Sequence, residues 1–102
     1  MSPTISHPRD VEAMNHELVV SSLRVGRLPQ TPREASFLLV AAEALSGRPD
    51  DKLHLRTIAV QFFARSGLPT PSPLNAMKEA SVTDLPRLRS LLDFRLTHQA
   101  LR

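Results

Sequence analysis

The stretch Thr31 to Leu45, TPREASFLLVAAEAL, decides the fold. Its first four residues spell a helix start. A threonine hydroxyl suits the N-cap, where it accepts a first-turn N–H. A proline at the next position gives up no hydrogen bond, and Glu34 can reach back to the cap. Behind this capping box, Ala35, Leu38, Leu39, Ala42 and Leu45 follow helical spacing, with Phe37, Val40 and Ala41 widening the stripe. A helix apolar nearly all round belongs at the centre of its domain. A second proline-rich stretch, LPTPSPL from Leu68 to Leu74, repeats the logic, with Gly67 ending one helix and Ser72-Pro73 opening another. Proline here is chain punctuation rather than a docking peptide or a ligand-binding loop.

The same signals read outward give five helices. The first runs from about Pro8 to Val25 and is closed by Gly26; its apolar positions are Val11, Met14, Leu18 and Val25, with Val19 and Leu23 beside them. The second runs from Pro32 to Ser46, closed by Gly47. The third spans Asp51 to Ser66, with Leu55, Ile58, Ala59, Phe62 and Phe63 as its core face. A short fourth covers Pro73 to Ala80. The fifth runs from Leu85 to about Leu101, capped by Asp84, with Leu85, Leu88, Leu92 and Leu96 in its stripe and Leu91 at its flank. No stretch alternates as a strand does, so no sheet is expected. The fold class is therefore all-α: a small helical domain of four to five helices, expected to form a dimer. Residues 1–7 are expected to be a flexible N-terminus and 8–102 a single domain, with the proline-rich loop 67–73 before the last two helices. That loop leaves the fifth helix to pack loosely or on a partner. A central helix this apolar needs cover on several sides, and a second copy is one way to supply it.

Bulk properties narrow the function. A chain of 102 residues makes one domain, and its 41% hydrophobic and 23% charged residues are ordinary for a soluble protein. It has no apolar run long enough for a membrane helix, and its opening MSPTISHPRD does not read as a signal peptide. Without cysteine there is no disulfide, thiolate nucleophile or cysteine-ligated zinc, and a reducing cytoplasm is the expected location. Eleven of the 13 basic residues are arginine, a residue suited to phosphate and also one that a GC-rich genome supplies. The net charge is only +3. With four Phe and neither Trp nor Tyr, platforms for stacking single-stranded nucleic acid are few.

No catalytic constellation stands out. His7, His16, His54 and His98 lie far apart, lack zinc-site spacing and read as surface histidines. Asp50-Asp51 sits just before a helix and reads as a cap and dipole complement rather than an acid pair. The three glycines fall at helix ends, so there is no phosphate-cradling loop. No enzyme activity, metal, cofactor or small-molecule substrate is expected. Basic residues do gather modestly. Arg87, Arg89, Arg95 and Arg102 outnumber Asp84 and Asp93 near the C-terminal end, and Arg24, Arg27 and Arg33 form a second group. Arg87, Arg89 and Arg95 are the candidate phosphate contacts, against the plainer reading of a solvated helix face. A six-residue linker, Gly67 to Ser72, is long and stiff for a helix-turn-helix, so no recognition helix is assigned.

Three pieces of sequence resemble the FlhD family, the small helical subunit of the bacterial flagellar master regulator. The first is Asn15, then Leu18-Val19-Val20, then Arg24. The second is Ala35-Ser36-Phe37-Leu38-Leu39. The third is Val82-Thr83-Asp84-Leu85 followed by Leu88 and Leu92. They occur in the family's order over most of the chain. Departures are the Pro69 to Pro73 loop, where the family has a phenylalanine- and arginine-containing segment, and the absence of cysteine. The resemblance implies a homodimer that joins an FlhC-type partner subunit, binds promoter DNA through the complex and activates flagellar-type genes. Leu18, Val19, Phe37 and Leu38 are then the candidate dimer or partner contacts, with plain core packing as the competing role. The alternative is a non-enzymatic helical adaptor or secretion chaperone that binds a protein partner.

Overall fold

A computed structural model describes the backbone of residues 8–100 and the side chains of residues 15–98. The order is α1 (Pro8–Val25), α2 (Pro32–Ala44), α3 (Pro49–Arg65), α4 (Pro73–Ala80) and α5 (Leu85–Ala100), with no strand among the described residues. The expected helices at 8–25 and 73–80 have the bounds read from sequence. The expected flexible segment 1–7, His7, and the side chains of Val11 and Met14 lie outside the described residues.

The helix starts are held by their caps. The Glu34 N–H donates to Thr31 Oγ1 at 3.1 Å, the Asn75 N–H to Ser72 Oγ at 3.3 Å, and the Arg87 N–H to Asp84 Oδ1 at 3.1 Å. The Glu34 carboxylate accepts from the Gln30 N–H at 2.9 Å, one residue upstream of the N–H expected for a capping box. Helix α3 departs further. Pro49 takes the first helical position, so the helix begins two residues earlier than expected and Asp50 and Asp51 fall inside its first turn. They complement the dipole but cap nothing; the N-cap is Arg48, without a side-chain cap bond. Helix α2 ends at Ala44 because Leu45 leaves helical geometry at φ −88° and ψ 55°. Leu45 itself is buried in the core.

Helix α2 touches each of the other four helices, as its apolar circumference requires. Phe37, Leu38, Val40, Ala41, Ala42 and Ala44 join Leu18, Val19 and Val20 of α1, Leu55, Ile58 and Ala59 of α3, and Ala76 and Ala80 of α4 in one core. Leu88, Leu92 and Leu96 close it from α5. Leu39 and Phe62, expected in the core faces, are half-buried. Val25 is 79% exposed, because α1 runs past the edge of the core before Gly26 (φ +72°) turns the chain. Val20, off the expected stripe, is buried because α1 is covered by α2, α3 and α5 at once.

Helix α5 does not pack loosely. Besides its leucines, Arg95 pairs with Glu17 of α1. Arg48, ahead of α3, reaches Asp93 at 3.5 Å and the Thr97 hydroxyl at 3.2 Å. The α1 end is fixed from two sides. The fully buried Ser22 donates its hydroxyl to the Arg27 carbonyl at 2.9 Å, and His54 Nε2 lies 3.3 Å from the Ser22 carbonyl oxygen, its acceptor.

Candidate functional site

Among the described residues a cleft of about 320 Å³ is bordered by α1, the start of α2, and the turn from α4 into α5. This is at the small end of ligand-site sizes, which begin near about 300 Å³. Phe37, Leu88 and Leu91 give it an apolar floor. Asn15, His16, Arg33, Ser81, Thr83, Asp84 and Arg87 supply polar groups.

Local folding places each side. Arg33 sits in the first turn of α2 directly behind the Thr31 cap, and its side chain is exposed. Arg87 lies in the first turn of α5, held there by the Asp84 cap. Between α4 and α5 the chain turns through Ser81 in the left-handed region, φ 59° and ψ 39°. The Val82 N–H then bonds Met77 O at 2.9 Å, and Ser81, Val82 and Thr83 form one wall. His16 is only 7% exposed, which overturns its reading as a surface histidine. His54 and His98 are exposed, and the His98 ring stacks on Phe94 at 3.9 Å between centroids.

The four candidate contact residues, Leu18, Val19, Phe37 and Leu38, are at most 3% exposed within the single chain. A second molecule cannot reach them without parting the helices, so their packing is that of the core. Any contact surface has to come from exposed side chains instead. The three candidate phosphate contacts do not form one strip. Positions 87 and 89 lie two apart on α5 and point to different sides of the helix. Arg95 is engaged with Glu17 and belongs to the tie between α1 and α5. Arg87 borders the cleft, and Arg89 is exposed.

A wider charge pattern emerges from the pairings. Glu17, Glu43, Asp51 and Asp93 are in ion pairs with Arg95, Arg56 and Arg48. Glu34 and Asp84 accept backbone N–H groups at helix starts. Arg27, Arg33, Arg65 and Arg89 are exposed and make no ion pair among the described residues. Six of the eight described carboxylates thus make a bond within the fold, while Asp50, Glu79 and much of the arginine charge face solvent.

Sequence reading missed the cleft. Asn15, Arg33, Ser81 and Arg87 come from three separate stretches, and no single motif joins them. Only the core leucines, by fixing how α1, α2 and α5 meet, bring them together. Among the described residues no three histidine, aspartate or glutamate side chains are grouped to hold a metal. No described helix is long and apolar enough to cross a membrane. No protein-family model, curated protein or solved structure matches the chain.

Proposed function

We propose that the chain is a non-catalytic subunit of a DNA-associated transcriptional regulator, working as a dimer with a partner subunit, as the FlhD resemblance implies. The observation that supports this reading is the charge pattern. With six of the eight described carboxylates engaged in caps and ion pairs, and Asp50 and Glu79 left exposed, the exposed Arg27, Arg33, Arg65 and Arg89 leave an excess of basic charge suited to a polyanion. The chain brings too few of them to bind DNA tightly alone, so the complex carries the affinity. Exposed apolar side chains, Leu53, Leu68, Leu74 and Phe94, are available for protein contacts. They equally favour the second reading, a helical adaptor with no role on DNA.

The test begins with tagged chain recovered from its native cell extract at moderate salt, with its companions identified by mass spectrometry. The reconstituted complex is then titrated with promoter DNA by fluorescence anisotropy. The regulator reading expects DNA binding only with the partner, weakening steeply with salt. Each phosphate-contacting arginine changed to glutamine lowers the log–log salt slope by about 1. Arg89→Gln is the first variant to make. Binding that is flat with salt, or recovery of a single secreted protein as companion, replaces the regulator with the adaptor.

A further inference from the structure

The outer face of α3 carries a line of side chains that the core does not use. Leu53, Thr57, Val60 and Ala64 succeed one another at steps of four, three and four residues, which keeps them on one side of the helix. The core residues Leu55, Ile58, Ala59 and Phe63 lie on the opposite side. All four outer residues are exposed, Leu53 at 64% and Val60 at 39%, and none is charged. Alternating steps of four and three mark the seam between two packed helices. The two flanks of the line differ. On one, Arg56 is already paired with Glu43 at 3.7 Å, and Leu39, Pro71 and Pro73 line a shallow hollow beside Val60. On the other stand Asp50, in the first turn, and Arg65, in the last. Both are exposed, and neither has an ion pair among the described residues.

We propose that a second copy of this chain docks on this face, its own α3 lying antiparallel across a two-fold axis between Thr57 and Val60. The open charges select both the occupant and its direction. Along one helix Asp50 and Arg65 stand about 22 Å apart, too far to attract one another through salt water. A two-fold axis perpendicular to both helices brings the same flank of each copy together and sets first turn beside last turn. Asp50 of each copy then stands within about 3 Å, along the helix, of the level of Arg65 on the other. The ion pair forms twice, as in any isologous contact. A parallel pair would set each Arg65 beside the other copy's last turn, which holds no carboxylate. The antiparallel register also places Leu53 against Ala64 and Thr57 against Val60, large side chains against small. One helix on one helix buries less than a standard interface, so the contact is weak, with a Kd of about 10–100 µM. This inference rests on the dimer of the regulator reading and names its surface. Asp50 and Arg65 neutralise one another there, while Arg27, Arg33 and Arg89 stay exposed for DNA.

Sedimentation equilibrium of the full chain alone, from about 1 µM to about 1 mM, measures the association. The expected result is a monomer–dimer equilibrium within that range. Asp50→Lys and Arg65→Glu each set like charges together twice, and each weakens the dimer about tenfold. Mixed in equal amounts, the two variants pair with one another at about wild-type strength, because one copy then brings two cations and the other two carboxylates. Mixing cannot repair a folding defect, so this rescue reads the contact between copies and nothing else. Leu53 is exposed and outside the core, so Leu53→Ser leaves the circular-dichroism melt in place and weakens the dimer at least about tenfold. The proposal is overturned by any of three results: a chain still monomeric at about 1 mM, reversal variants that associate as wild type does, or a mixture no stronger than its components. A dimer that ignores these variants moves the contact to another face and leaves the regulator reading standing. DNA binding that is flat with salt ends that reading and leaves the α3 contact untouched.

Discussion

Gly67 and Ser81 close α3 and α4 with the same pair of hydrogen bonds. The Gly67 N–H bonds Ala64 O at 3.2 Å and the Leu68 N–H bonds Phe63 O at 2.9 Å. The Ser81 N–H bonds Lys78 O at 3.2 Å and the Val82 N–H bonds Met77 O at 2.9 Å. Both residues are left-handed, at φ +70° and +59°. Glycine reaches this region freely, whereas a side chain there costs about 1 kcal/mol. A Cβ at Gly67 would meet nothing within 4 Å, so Gly67→Ala tests the backbone alone. We expect it to lower stability by about 1 kcal/mol, a fall in Tm of about 4–8 °C for a domain of this size. Ser81→Gly is expected to move the other way, by about 0.5 kcal/mol, since relief of strain is partly offset by a more flexible unfolded chain. Thermal melts followed by circular dichroism decide both. A neutral Gly67→Ala would mean that the turn does not hold its left-handed residue in solution.

At the scale of the helix, the cap at Thr31 fastens the most buried element. Thr31→Ala removes the hydroxyl that accepts the Glu34 N–H, and it is expected to cost about 1 kcal/mol by chemical denaturation. Thr31→Ser should restore most of it. If alanine costs nothing, water satisfies the exposed N–H equally well and the proline alone starts the helix. These starts were legible because their chemistry is local: Thr31-Pro32, Ser72-Pro73 and Asp84 each act within one turn. The start of α3 was misread because two signals overlapped. Asp50-Asp51 looks like a cap, yet Pro49 can serve as the first helical residue and moves the boundary upstream. Periodicity likewise identified Leu18, Val19, Phe37 and Leu38 as covered positions. It carries no information on whether the cover comes from the same chain or a second one, and the structure assigns it to the same chain. The cleft was illegible for a related reason. Arg33 and Arg87 share a rim only through tertiary packing, which no local pattern in the sequence records.

For the molecule as a whole, the decisive property is that one chain completes its own core. Leu38, Leu45, Leu55 and Leu92 are all essentially inaccessible to solvent, and they come from α2, its C-cap, α3 and α5. Dimerisation is therefore not needed to cover α2, and a dimer of this chain would be an association of folded molecules through exposed side chains. That distinction has a thermodynamic signature. A fold that requires a second copy melts at a temperature that rises with protein concentration, by mass action. A fold complete in one chain does not, provided that any dimer has dissociated below the transition. We expect a Tm independent of concentration across a hundredfold dilution series measured by calorimetry. Leu38→Ala should destabilise the domain by about 3 kcal/mol, from lost burial and the cavity left in α2's inner face. The loss should be the same at every concentration. Phe94→Ser, on the outer side of α5, should leave stability nearly unchanged and act only on association. A Tm that climbs with concentration, or a Leu38→Ala defect that high concentration repairs, would show that the second copy helps to build the core and would return Leu18, Val19, Phe37 and Leu38 to the interface.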